Sequence, residues 1–129
     1  MQDLKLKLKL LEMFYGVCRL DCKDEIPKWA LQSDVYSITK THEELSIVCN
    51  EEYIPEEIKC EKKWRILKVQ GPLDFSLIGI LSNLSSVLAQ HKISIFAIST
   101  YDTDYVLVKE NKIGEAIEAL KAIGCEIEV

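Results

Sequence analysis

The stretch that decides the fold is residues 64–129, which begins WRILKVQGPLDFS (64–76) and continues through HKISIFAISTYDTDYVLV (91–108). It contains two polar loops, 71–76 and 99–105, and each follows an apolar run with the character of a strand. In chain order the segment predicts strand, helix, strand, strand, helix, strand, which is the split βαβ arrangement of helices on one face of an antiparallel sheet. The sequence therefore predicts an α+β fold whose connecting loops can hold a ligand.

Two parts of this segment have apolar residues at helical spacing. The first predicts a helix over 76–91, with Asp74 or Ser76 accepting hydrogen bonds from its unpaired N–H groups. The second predicts a helix over 112–123. Gly124 is expected to end it, because glycine readily adopts the left-handed conformation of a helix C-cap.

The N-terminal half is rich in strand patterns. Leucines alternate with lysines over 4–10, which is the period of a half-buried strand. Apolar character continues over 14–20, so the two runs form either one long bent strand or two short strands. Gly16 is the natural position for a bulge or kink.

The rest of that half predicts shorter elements. A turn into a short helix is expected over 24–30, since Pro27 fits a first helical turn. Strands are expected over 35–39 and 45–49, with a tight turn between them. The charged stretch 51–63 contains Pro55 and is interpreted as the boundary between two halves, or as a stunted helix.

Composition restricts the functional classes. The chain is 48% hydrophobic and 29% charged, which allows a packed core, and its net charge of −5 argues against binding to nucleic acid. There is no signal-peptide pattern and no apolar run of membrane-spanning length, so a cytoplasmic protein without membrane contact is expected. The five cysteines lack CxxC spacing and are predicted to be free thiols, with no zinc site and no cofactor.

An enzyme is the weakest interpretation. Asp102 and Asp104 form a carboxylate pair, yet a turn-forming role is expected for Asp102. His42 and His91 lie far apart and have no nucleophile motif beside them. The Gly71-Pro72 dipeptide lacks the further glycines and the Lys-Ser/Thr of a phosphate loop.

Two strings carry a resemblance to a known family. The first is Trp64-Arg65-Ile66-Leu67 followed by residues 71–75, and the second is residues 95–105, which contain Ser-Thr-Tyr-Asp-Thr-Asp-Tyr. With them the chain resembles the ACT-domain family, in particular a tandem branch that includes the ACT halves of eukaryotic cytosolic arginine sensors. Residues 17–20, 26–29 and 37–49 resemble the same branch, so the resemblance covers nearly the whole chain.

The resemblance implies two ferredoxin-like βαββαβ units, residues 1–62 with shortened helices and residues 63–129. ACT domains are regulatory modules that bind amino acids or related metabolites between units. By that pattern an acidic residue at Asp104 lies near the ligand side chain. The ligand-binding residues that the resemblance implies are Gly71, Pro72, Leu73, Asp74, Ile93, Ser94, Ile95 and Asp104. We expect Ser99, Thr100 and Tyr101 to line the same site; for the Ser99 and Thr100 hydroxyls the alternative is a strand-end role with hydrogen bonds to the backbone.

The chain has a single tandem pair where the eukaryotic sensors have two, so a composite site requires a homodimer. We therefore expect a non-enzymatic regulatory protein that binds a small molecule, an amino acid, at an interface between ACT units. The alternative is an ACT-like dimerisation or protein-interaction module without a ligand. Polar groups that converge on a cavity would favour the first interpretation, and an apolar filling of that cavity would favour the second.

Overall fold

The structure is a computed structural model that describes residues 5–70 and 79–129. It divides into two compact units. One, called the N-terminal unit, is Met13–Trp64; the other, called the C-terminal unit, is Met1–Glu12 together with Arg65–Val129. The expected division into 1–62 and 63–129 differs from these units, because the first strand of the chain lies in the C-terminal unit.

The elements agree with the predicted order along the chain. The strands are β1 (Lys7–Leu10), β2 (Tyr15–Leu20), β3 (Ser37–Lys40), β4 (Leu45–Asn50), β5 (Cys60–Val69), β6 (Ile95–Ser99), β7 (Asp104–Lys109) and β8 (Glu126–Glu128). The α-helices are α1 (Ile80–Gln90) and α2 (Glu110–Ala122). Residues 5–20 thus contain two short strands, not one bent strand.

The C-terminal unit has the strand order β6-β7-β5-β1-β8. β1 pairs antiparallel with β5, with Leu8 opposite Val69, and parallel with β8, with Leu8 opposite Ile127. The expectation of purely antiparallel sheets is therefore wrong at this pair. The reason is geometric: β5 and β8 run in opposite directions, so a strand between them must be parallel to one of the two.

The two helices described in the C-terminal unit, α1 and α2, pack on the same face of its sheet. Alternate strand residues point toward them, as the period-2 pattern of β1 predicts. The α1 helix contributes Leu84 and Leu88, and α2 contributes Ala116 and Leu120. The buried strand residues of this core are Leu8, Leu10, Leu67, Val69, Val106 and Val108.

The helix ends follow from backbone chemistry. Gly79 has a φ of 80° immediately before α1, and Gly124 has a φ of 103° just after α2. Gly124 donates its N–H to the Lys121 carbonyl at 3.0 Å, so its predicted role at the helix end agrees with the structure. The predicted start of the first helix at Ser76 lies outside the described residues. No described helix is long and apolar enough to cross a membrane.

The N-terminal unit has the strand order β3-β4-β2-β5 and no α-helix. Two 3₁₀ helices, Lys28–Gln32 and Glu51–Tyr53, occupy the places of the helices of a full βαββαβ unit. The helices of this unit are thus short, as expected, and a second full ferredoxin-like unit is not confirmed. The second connection runs only from 51 to 59 and contains Pro55, which cannot donate a backbone hydrogen bond in a longer helix.

Gly16 faces an irregularity in the pairing of β2 with β5. The register shifts between the pairs Tyr15–Trp64 and Val17–Glu61, so the extra residue of the bulge lies on β5. Lys63, in that bulge, has a φ of 67°. Gly16 itself provides space: a Cβ atom there would lie 2.5 Å from Ile54 Cδ1 and 2.6 Å from Cys60 Sγ.

Replacing Gly16 by alanine tests this packing. Gly16→Ala is expected to lower the free energy of unfolding by about 1–3 kcal/mol, because the added methyl group overpacks a filled site. The matched control is Gly114→Ala in the interior of α2, where a Cβ atom would meet nothing within 4 Å. That variant is expected to gain about 0.5–1 kcal/mol from helix propensity. Urea unfolding measures both, and equal stabilities of the two variants would contradict the packing argument.

Replacing Leu8 by alanine tests whether β1 belongs to the C-terminal unit. Its side chain is 1% exposed in the core of the C-terminal unit, so Leu8→Ala is expected to cost about 2–5 kcal/mol. The exposed neighbour Lys9→Ala is the control and should stay within about 0.5 kcal/mol of wild type. Amide hydrogen exchange locates the effect. Faster exchange is expected in β7 and α2, and faster exchange confined to β2, β3 and β4 would refute the assignment.

Candidate functional site

The candidate site lies at the end of the C-terminal unit's sheet where β5 ends and β7 begins. Thr103 precedes β7 and is 5% exposed, and its hydroxyl donates to the Val69 carbonyl at 2.7 Å. This buried hydrogen bond fixes the polar turn after β6 against the last residue of β5. It therefore places Asp104 near the point from which the chain enters residues 71–74.

The turn over 100–103 is closed by threonine. The Thr100 N–H and hydroxyl both donate to the Thr103 carbonyl, at 2.8 and 3.0 Å, and the Thr103 N–H donates to Thr100 Oγ1 at 3.2 Å. The side chain that forms the turn is thus that of Thr100, where the sequence pattern suggested Asp102. Tyr101 lies at the tip and is 83% exposed.

Ser99 and Asp104 form the polar pair of this site. They are opposite each other in the pairing of β6 with β7, and the Ser99 hydroxyl donates to Asp104 Oδ1 at 2.5 Å. In the same register, Ile95 is opposite Val108 and Ala97 is opposite Val106. Because Val106 and Val108 point into the core beneath the helices, Ser99 and Asp104 belong to that same face of the sheet.

The predicted residues Ile93, Ser94 and Ile95 lie at the other end of β6. Ile93 is buried in the core, and its N–H donates to the Leu88 carbonyl at 3.0 Å. With about 3.3 Å per strand residue, Ile95 and Ser99 are roughly 13 Å apart along the strand. One copy of the chain therefore does not bring these residues together with Asp104. The predicted site residues Gly71, Pro72, Leu73 and Asp74 lie outside the described residues.

A cavity of about 470 Å³ lies beside the end of β5 and was not predicted from the sequence. The Gln70 N–H donates to the Lys7 carbonyl at 2.8 Å, and the Gln70 side-chain amide donates to Glu128 Oε2 at 3.3 Å. The lining residues are Lys7, Leu8, Gln70, Glu126, Ile127 and Glu128. Sequence reasoning missed them because it assigned β1 to the other unit, although the alternating charges of β1 and β8 were visible.

These groups can form hydrogen bonds and ion pairs with a small polar molecule. The cavity combines an ammonium group, two carboxylates and a side-chain amide, while Asp104 supplies a carboxylate that can accept further hydrogen bonds. Within residues 5–70 and 79–129, no group of three His, Cys, Asp or Glu side chains is arranged to hold a metal ion.

Comparison with known sequence families gives two matches. The family described as "ACT domain" matches residues 59–122. A second family, described as an N-terminal domain, matches residues 14–57. The two matches meet just before Cys60, where β5 begins.

Among curated proteins, the human "Cytosolic arginine sensor for mTORC1 subunit 1" is 41% identical over 59 residues. The match covers 45% of this chain and 18% of the sensor. The mouse sensor is 39% identical over the same length. The chain thus matches less than a fifth of the length of these curated relatives.

Solved structures resemble nearly the whole chain. A crystal structure of an Agobacterium tumefaciens protein has 37% identity and a TM-score of 0.90, and the match covers 95% of this chain and 92% of that one. The regulatory subunit of aspartate kinase from Thermus thermophilus has 11% identity and a TM-score of 0.61, and the match covers 90% and 95%. This second likeness concerns the fold alone. The family match and the sensor relatives confirm the resemblance found in the sequence: through residues 59–122, the chain belongs to the ACT-domain family.

Proposed function

We propose that this chain is a non-enzymatic regulatory protein that binds an amino acid at an interface between ACT units. The observation that carries the proposal is the buried Thr103–Val69 hydrogen bond, which holds the Ser99–Asp104 pair at the end of β5. A carboxylate oriented by a neighbouring hydroxyl is a preorganised acceptor. Regulatory binding is also the role that ACT-family membership supports.

The ligand class follows from Asp104. A carboxylate that has used one acceptor position on Ser99 keeps others for a cationic donor. Hydrogen bonds between charged partners are shorter and stronger than neutral ones. The human relative is named as an arginine sensor, and a cationic amino acid is accordingly the first ligand that we propose for this chain. By the same relationship we propose a cytosolic location.

A homodimer would complete the site. Among the described strands β6 pairs only with β7, so its other edge has unpaired backbone N–H and C=O groups. If two copies pair antiparallel through β6 with Ala97 opposite Ala97, Ile95 of one copy lies opposite Ser99 of the other. The residues that are about 13 Å apart within one chain would then meet across the interface. Residues 71–74 remain part of this proposal as the loop beside the ligand.

The alternative is a dimerisation module without a ligand, and the same β6 edge favours it. An experiment can distinguish the amino-acid sensor from the dimerisation module. A sensor changes its stability or its assembly when the amino acid is added, whereas a scaffold dimerises equally with and without it. Sedimentation velocity in the presence and absence of each amino acid distinguishes the two.

A thermal-shift screen against the common amino acids, including arginine and lysine, is the direct test. A ligand that binds only the folded protein adds about 2.7 kcal/mol at a hundredfold excess over its dissociation constant. Asp104→Asn is then expected to weaken binding by about 1.5–3 kcal/mol, because a hydrogen bond to a charged group is lost. Isothermal calorimetry measures this loss.

The matched control is Asp102→Asn, which removes the same charge from the exposed tip of the same turn and should leave affinity unchanged. Both variants must unfold at the wild-type temperature without ligand, so that a loss of binding is not a loss of fold. Equal affinity of wild type and Asp104→Asn would remove Asp104 from the site. A screen without any stabilising amino acid, combined with a constant dimer, would support the scaffold instead.

A further inference from the structure

Three cysteine side chains lie on neighbouring strands of the N-terminal unit. Cys18 is on β2, Cys49 on β4 and Cys60 on β5, and all three are free thiols. The Cys18 and Cys60 sulfur atoms are 3.5 Å apart. Cys18 is 2% exposed, whereas Cys60 is partly accessible. These thiols are not used by the proposed amino-acid site, which lies in the other unit.

The strand register determines which pair can be joined. Cys18 and Cys60 are directly opposite each other, and in the next pair the Arg19 N–H donates to the Lys59 carbonyl at 3.0 Å. Because hydrogen-bonded and non-hydrogen-bonded pairs alternate in an antiparallel ladder, Cys18–Cys60 is a non-hydrogen-bonded pair. Its Cα atoms are expected about 4.5 Å apart. Disulfides span Cα separations of about 4.4–6.8 Å, so this pair needs little backbone movement.

Cys49 is less well placed for a bond to Cys18. The residue opposite Cys18 on β4 is Ile47, and Cys49 is opposite Gly16. Cys18 and Cys49 are thus diagonal neighbours, which are about 7–8 Å apart in such a ladder and beyond the disulfide range. The geometry favours Cys60 over Cys49 as the partner of Cys18.

We propose that Cys18 and Cys60 are a modification site at which a small-molecule disulfide, of the glutathione disulfide class, drives formation of a reversible cross-strand disulfide. The Cys60 thiolate attacks one sulfur of the oxidant, and the released thiolate takes up the proton lost by Cys60. The Cys18 thiolate then attacks Cys60 Sγ and displaces the second small thiol, which takes up the proton of Cys18. The protein loses two electrons and two protons, and the oxidant is reduced to two thiols.

The surroundings of the pair make this reaction slow at neutral pH. Burial raises the pKa of the Cys60 thiol to about 12, with smaller increases from its contact with Cys18 and from Glu51, against the opposing charge of Lys62. The contact of Cys18 with Cys49 raises the pKa of the Cys18 thiol, and burial raises it further. The same contact lowers the pKa of the Cys49 thiol. The thiolate is the attacking species, so the rate of disulfide formation rises with pH through 8–9.

The test uses the full chain incubated with glutathione disulfide at pH 8.5, then digested without reduction and mapped by mass spectrometry. The expected product is a peptide pair joined through Cys18 and Cys60. Dithiothreitol should restore both thiols. The oxidised protein should unfold several degrees above the reduced protein, because the bond connects two strands that are far apart in the chain.

Two variants sharpen the result. Cys60→Ser should abolish both the cross-link and the rise in unfolding temperature. The matched control Cys22→Ser removes a partly exposed thiol from the same unit and should retain both. The proposal is overturned if the cross-link maps to Cys22 or Cys49. It is equally overturned if folded wild-type protein keeps Cys18 and Cys60 as thiols, or only carries a glutathione adduct on Cys60. If Cys60→Ser does not fold, mapping of the disulfide in the wild-type protein still tests the proposal.

Discussion

The C-terminal unit depends on the pairing of β1 between β5 and β8. Leu8 is opposite Val69 on one side and Ile127 on the other, and its buried side chain reaches the core beneath both helices. Without β1, β8 would have no neighbour among the described strands, and the backbone groups at the end of β5 would lack a partner on that side. The strand also forms one wall of the cavity beside Gln70, so the same pairing shapes part of the candidate site.

The candidate site depends in turn on one buried hydroxyl. The Thr103 hydroxyl donates to the Val69 carbonyl, and this hydrogen bond holds the turn over 100–103 at the end of β5. Asp104 follows directly and is oriented by Ser99. A carboxylate held in this way loses little conformational freedom when a ligand binds, which is the physical advantage of preorganisation. The separation of Ile95 from Ser99 along β6 explains why a second copy of the chain is part of the functional proposal.

The N-terminal unit illustrates how closely packing and thiol chemistry are coupled. Gly16 leaves room for the Cys60 sulfur atom, and the register of β2 with β5 sets that sulfur against Cys18. Protein interiors are close-packed, so a methyl group at Gly16 and a sulfur at Cys60 compete for the same volume. The thiol pair is therefore a product of the strand register and of one missing side chain, and it does not depend on any cysteine motif.

The sequence by itself determined the elements and their order. The alternation of leucine and lysine over 4–10 identified a strand, Gly124 marked the end of α2, and the Ser99–Asp104 string carried the family resemblance. These signals are local. The spacing of apolar residues shows which face of one helix or strand is buried, and it depends only on residues that are close together in the sequence. Only the tertiary structure decided which strands are neighbours. The parallel pairing of β1 with β8, the distance between the two ends of β6 and the Cys18–Cys60 contact all join residues far apart in the chain, and period alone does not identify a strand's partner.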